Sequence, residues 1–183
     1  RDGVINHEKH DHYILNPSEF KFYEGVPEAL ARLSRIVGKI VVVTNQRGVG
    51  KGWMTERELR DIHQYMSDAI ESAGGRIDRI YYCTSLDNRH PDRKPNPGMA
   101  YRAQQEFPGI DPQRTLMVGN KHSDMLFGRN AGFYFNILLI GYEFCAILAF
   151  QQVHNVNAIG MRNSIVGVNE VRSAHNHHFF KSC

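Results

Sequence analysis

Only three cysteines, Cys83, Cys145 and Cys183, stand among the 183 residues, and no two share a short spacing. That excludes a disulfide framework and fits a reducing compartment, so the expected location is cytoplasmic. Charge of either sign is nearly balanced, with 22 Lys and Arg against 19 Asp and Glu. A net charge of +3 is too small to argue for nucleic acid; a basic surface facing an anionic small molecule explains it as well. No apolar run reaches the roughly 18 residues of a membrane-spanning helix, so no membrane partner is expected. A secretory leader pattern is also missing, although the chain begins at Arg1 and its true start is expected upstream. Internal repeats and low-complexity tracts are absent. What remains is an ordinary globular composition, 42% hydrophobic and 22% charged, sized for one domain with a sizeable core.

The stretch VVVTNQRGVGKG, residues 41–52, runs from an apolar strand into glycines and a lysine. A phosphate-cradling P-loop needs glycine six positions before the Lys and a hydroxyl after it. Asn45 stands at the first position and Gly52 at the second, and both fail the pattern, so Thr44, the hydroxyl at the end of the strand, becomes the candidate phosphate contact.

Apolar spacing predicts a helix over 26–36 with Pro27 in its first turn. KIVVVT, 39–44, is a β-branched run expected to be buried on both faces. Thr55 and Glu58 form a capping-box pair for a helix that Gly74 and Gly75 end. Residues 76–83 read as the next strand, and Asn96–Pro97 as the cap and first turn of another helix. TLMVG, 115–119, is a third strand; Ser123 is expected to cap a helix stopping at Gly132, and 133–140 to form a fourth strand. This alternation predicts an α/β fold, a Rossmann-like parallel sheet with helices on both faces and ligands at the strands' carboxyl ends. The pattern fades after Gly141. Residues 1–140 are therefore expected to form the core, with 141–183 outside it and without an assigned role.

Four pieces stand in order: RDGVIN at 1–6, VVVTN at 41–45, DRKPNPGM at 92–99 and MVGNKHSDM at 117–125. Together they resemble the haloacid dehalogenase (HAD) superfamily of phosphohydrolases. The wording is closest to its heptose-bisphosphate 7-phosphatase branch, with histidinol-phosphate phosphatases sharing much of it. The resemblance covers about residues 1–140 and implies a HAD fold without a large cap domain. It implies an Mg²⁺-dependent phosphomonoester hydrolase acting through an aspartyl-phosphate on a sugar bisphosphate. Carried over by position, Asp2 is the acid/base, and Thr44 and Lys94 stabilise the phosphoryl group. Asn45, Gln46 and Arg47 line the sugar phosphate, with Arg93 and Lys121 beside it; a guanidinium is also a bidentate anion partner by its own chemistry. Asp2, Asn120 and Asp124 are the implied metal ligands.

Three departures qualify the resemblance. The pattern sets the attacking Asp immediately before Arg1, so the expectation is that a strand carrying it precedes this sequence. Asn120 stands where the family has a metal-binding Asp; an amide keeps an oxygen donor but loses a charge, so weak Mg²⁺ binding is expected. The loop CTSLDNRHPDRK keeps only Cys83 of the four zinc ligands many relatives have there, so zinc is not expected. His7, His10 and His12 are read as a polar loop near the site mouth, HNHH at 175–178 as a tail, and Met99, Met117 and Met125 as core. The alternatives left open are a histidinol-phosphate phosphatase and a silent HAD-like phosphosugar-binding module; the oligomeric state stays open.

Overall fold

The computed structural model describes residues 1–138 and 164–168. Its centre is a five-stranded sheet with every pair parallel, in the order β2-β1-β5-β3-β4. The strands are β1 (Ile40–Asn45), β2 (Arg79–Cys83), β3 (Thr115–Gly119), β4 (Phe135–Leu138) and β5 (Ser164–Val168). The helices are α1 (Val26–Ser34), α2 (Arg47–Gly50), α3 (Glu56–Ser72), α4 (Gly98–Glu106) and α5 (His122–Asn130).

The β-branched run in β1 is what makes two layers of helix possible. Side chains alternate along a strand, and Ile40 and Val42 enter one core while Val41 and Val43 enter the other. The first core gathers α1 and α3; the second gathers α4 and α5 through Met99, Ala103 and Phe127. Helix α3 presents Leu59, Ile62, Met66 and Ile70 at helical spacing, all fully buried. Each such side chain contributes about 1.5–3 kcal/mol by leaving water. Its Thr55–Glu58 capping box is formed in both directions, and Gly74 follows its end at φ 83°.

Three local expectations differ from the structure. Pro97, not Asn96, precedes α4, because the Asn96 amide donates to the Asn88 and His90 carbonyls and ties down the preceding loop. Lys121, not Ser123, flanks the start of α5, where the Asp124 carboxylate collects the free amides. Met99 and Met117 are core residues, but Met125 is only partly buried.

The expectation that 141–183 lies outside the core does not hold for Ser164–Val168. Those five residues take the central place between β1 and β3, pairing Ile165 with Ile40 and with Leu116. Without them both strands would present unpaired amides and carbonyls in the middle of the sheet. The stretch FCAILAF, HNHH, Cys145 and Cys183 lie outside the described residues.

Candidate active site

All candidate residues cluster where β1 and β3 end. Strand β1 ends in Thr44, which is 3% exposed, and Asn45, and the chain then turns away through Gln46. The Gln46 amide is buried and joins two functional groups. Its Nε2 donates to Thr44 Oγ1 at 2.9 Å and lies 3.3 Å from Asp2 Oδ2. Asp2 reaches this point because the Arg1 carbonyl closes a tight turn onto Val4 and Ile5, with Gly3 at φ 79°. Asn6 Nδ2 then donates to Asp2 Oδ1 at 2.9 Å, and Arg1 Nη1 lies 3.3 Å from the same oxygen. Burial raises the Asp2 pKa, but the charge on Arg1 and donation from Asn6 and Gln46 outweigh it and hold the carboxyl below its ordinary range. Asp2 therefore rests ionised.

Lys94 comes from the loop before α4. Its Nζ sits 2.6 Å from Asp124 Oδ1 and donates to the Val43 carbonyl at 3.0 Å. Both partners are nearly buried, with side chains 10% and 7% exposed. Asp124 Oδ2 meanwhile accepts the backbone N–H of Asn120 at 3.2 Å and of Lys121 at 3.1 Å. Burial pushes the Asp124 pKa up, yet the adjacent Lys94 charge and hydrogen bond win and lower it. Asn45 was expected against the sugar phosphate. Instead its Oδ1 accepts from Lys94 N and its Nδ2 donates to the Lys94 carbonyl, each at 3.0 Å. Both ends of the amide are engaged in holding Lys94 in place.

Asp2, Thr44, Asn45, Lys94, Asn120, Lys121 and Asp124 line one open cleft, together with Tyr13 and Lys51. Gln46, Arg47 and Arg93 do not line it. Gln46 is packed beneath Thr44, and Arg93 is held by Asn88 Oδ1 and the Ser85 carbonyl, both at 3.0 Å. Burial lowers the Arg93 pKa, and Arg47 adds repulsion. Arg47 Nε is buried without a partner among the described residues. Two guanidiniums that repel each other beside the cleft favour an anion.

Whether the donors suit Mg²⁺ can be judged from their chemistry. Asp124 spends both oxygens on Lys94 and two amides, so it supports the loop and is not available as the ligand expected of it. The Asp2 carboxylate is likewise occupied, which leaves its main-chain carbonyl for a cation. Asn120 approaches that backbone closely: a Cβ at Gly3 would collide with its amide. The approach is made by the NH₂ end of Asn120 with its oxygen farther off, so the set offers Mg²⁺ few oxygens and little charge. Among the described residues no group of three His, Cys, Asp or Glu gathers. Cys83 does meet His90, with Sγ 3.7 Å from Nδ1, a contact that their seven-residue separation did not suggest.

A family model described as polynucleotide kinase 3 phosphatase matches residues 2–137. The D-glycero-alpha-D-manno-heptose-1,7-bisphosphate 7-phosphatase of Burkholderia mallei is 36% identical over 145 residues, 72% of each chain. The chain belongs to the HAD phosphatases, in their heptose-bisphosphatase branch. A second member, the D-glycero-beta-D-manno-heptose-1,7-bisphosphate 7-phosphatase of Vibrio cholerae, is 37% identical to this HAD chain, covering 76% of it and 77% of the relative. Among solved structures, the D,D-heptose 1,7-bisphosphate phosphatase of B. bronchiseptica, complexed with magnesium and phosphate, superposes with a TM-score of 0.63 at 29% identity. That match covers 73% of this chain and 74% of the other. The residues that sequence reading missed in this HAD site are supports, Asn6 beside Asp2 and Glu8 at the mouth, while Gln46, expected at the sugar phosphate, joins Asp2 to Thr44. Only Asn6 left a local signal, being four residues from Asp2 across the Gly3 turn.

Proposed function

We propose that this chain is a cytoplasmic phosphomonoester hydrolase that removes the 7-phosphate of a D-glycero-D-manno-heptose 1,7-bisphosphate. The observation carrying this reading is the convergence of Asp2, Thr44 and Lys94 on one cleft, with Arg47 and Arg93 supplying positive charge beside it. A bisphosphate presents two anions, one for each cluster. Residues 1–140, completed by β5, make up the catalytic unit in this reading.

Each residue has a physical task. The Lys94 ammonium and the Thr44 hydroxyl face the transferring phosphoryl oxygens and stabilise their charge. Lys94 meets this task pre-positioned, because Asp124 and Val43 hold its head and Asn45 holds its backbone. The family pattern places the attacking carboxylate at the position joined to Arg1. Attack forms an aspartyl-phosphate while Asp2 gives its proton to the leaving sugar oxygen. Asp2 then takes a proton from water, and the hydroxide's attack on phosphorus frees phosphate and the carboxylate. Asp2 rests ionised, so the incoming phosphate dianion must raise its pKa until the carboxylate takes up a proton from water before the leaving oxygen needs it.

Phosphate release from heptose 1,7-bisphosphate, as both anomers, tests the reading against histidinol phosphate and a 3′-phosphorylated oligonucleotide. Preferential turnover of a heptose bisphosphate is expected. Faster release from either control would replace the substrate, and tight phosphosugar binding with no release from any would make the chain a binding module.

A further inference from the structure

We infer that Gln46 is a positioning residue that aims the Thr44 hydroxyl proton into the cleft, and that Arg1 fixes which way round the Gln46 amide stands. This rests on the reading above, in which Thr44 faces the transferring phosphoryl group. Gln46 is 2% exposed and does not line the cleft, so it acts only through its neighbours. Its backbone N–H donates to the Cys83 carbonyl at 2.8 Å, which anchors it across the ends of β1 and β2.

The partners of the side chain admit one orientation. An amide has a donor end and an acceptor end, and half a turn exchanges them. A guanidinium only donates, and Arg1 Nη2 lies 3.4 Å from Gln46 Oε1. Asp2 Oδ2, a carboxylate oxygen, lies 3.3 Å from Gln46 Nε2. Turning the amide over would set its NH₂ against an Arg1 side chain that is 0% exposed, and its oxygen against that of Asp2. Both contacts therefore hold the NH₂ end toward Thr44. Thr44 Oγ1 accepts from Gln46 Nε2 at 2.9 Å, so the hydroxyl cannot spend its own proton in that direction. Among the described residues no other group takes that proton. It is left for an acceptor in the cleft that Thr44 lines, and a phosphoryl oxygen is such an acceptor. Without Gln46 the hydroxyl is free to turn its lone pairs to the phosphoryl group, which repels.

The test is a double-substitution cycle on the full chain, read by titration calorimetry with inorganic phosphate, which needs no turnover. Thr44→Val removes the hydroxyl and is expected to weaken phosphate binding by about tenfold or more, as for a hydrogen bond to a charged group. Gln46→Met keeps the side chain's length but frees the hydroxyl to rotate, and a loss of about threefold to tenfold is expected. In the Thr44→Val background the same change should cost less than about twofold, because no hydroxyl is left to direct. A purely structural role for Gln46 would cost the same in both backgrounds. Gln46→Glu is the second variant: it keeps the size and the Arg1 contact but only accepts, so it draws the Thr44 proton to itself. Its cost should also be larger, by about tenfold, with Thr44 present than in the Thr44→Val background. Gln46 changes that leave phosphate affinity untouched, or that cost as much in the Thr44→Val background, overturn this inference, while the loss in Thr44→Val alone still upholds the phosphoryl contact. Unchanged affinity in Thr44→Val, or no phosphate binding by the unaltered protein, overturns that contact and this inference together.

Discussion

Asp124→Asn tests the support under Lys94, the lysine proposed to face the phosphoryl group. The substitution keeps shape and one acceptor oxygen but removes the charge 2.6 Å from Lys94 Nζ. It also replaces one of the oxygens serving Lys94 and the amides of Asn120 and Lys121 by a donor. Breaking a buried pair from one side typically costs about 3–5 kcal/mol, because the other charge is left without its partner. Lys94 keeps the Val43 carbonyl, so the low end, about 3 kcal/mol, is expected. In a chain of this size about 1 kcal/mol moves the melting point by 2–4 °C, giving a fall of about 6–12 °C at pH 7. The sign with pH follows from the lowered Asp124 pKa. Its contribution is complete above the unfolded value near 3.8 and disappears as pH falls through the lower folded value. The gap between parent and variant should therefore narrow in acid. Removing Lys94 as well, as Lys94→Met with Asp124→Asn, should recover part of the stability, since no buried charge is then unpaired. Turnover should drop by about 10²-fold in the single variant as Lys94 loses its position. A melting point within 2 °C of the parent at pH 7, or a double variant no more stable than the single, would refute the account.

His63 offers a separate pH test. Burial, reinforced by the charge on Arg1, lowers its pKa to about 3, and its Nε2 has no partner among the described residues. The unfolded chain takes up a proton near pH 6.5 that the fold refuses, so stability is lost as pH falls from about 6.5 toward 3. His63→Leu should flatten that part of the denaturation midpoint's pH profile, and an unchanged slope would count against a neutral buried His63. Gly3→Ala forces a side chain into left-handed backbone and onto Asn120. It should lower turnover, as phosphate release would read; normal turnover would mean the site does not rely on that approach.

Much of the fold was legible because its signals are local. The run at 39–44 read as doubly buried, and its alternate residues do enter two cores. Thr55 and Glu58 stand three apart and form the box they announce. Asp2, Thr44 and Lys94 were found through motif order, and they share the cleft. Asn45 and Asp124 line the cleft yet spend their polar atoms on Lys94 and the loop after β3, and an amide or carboxylate beside a site looks the same in sequence whether it meets ligand or scaffold. Asn45 is occupied by a backbone 49 residues away, which only the packed structure brings near. Strand β5 was missed for the same reason: nothing within SIVGV says that β1 and β3 leave a strand's width between them.

The loop after β3 shows most clearly where a linear pattern stops. Position by position, Asn120 is a lost charge. In space, a carboxylate stands 3.2 Å from its amide, from a residue 112 positions earlier, within a cleft that also holds Lys94 and Lys121. A cation responds to the summed field of nearby groups, not to which residue in the chain carries the charge. Glu8 and Asn120 must therefore be judged as one unit. Replacing Asn120 with aspartate alone sets a second carboxylate beside Glu8 at the mouth, and the repulsion between the two works against any gain from the added charge.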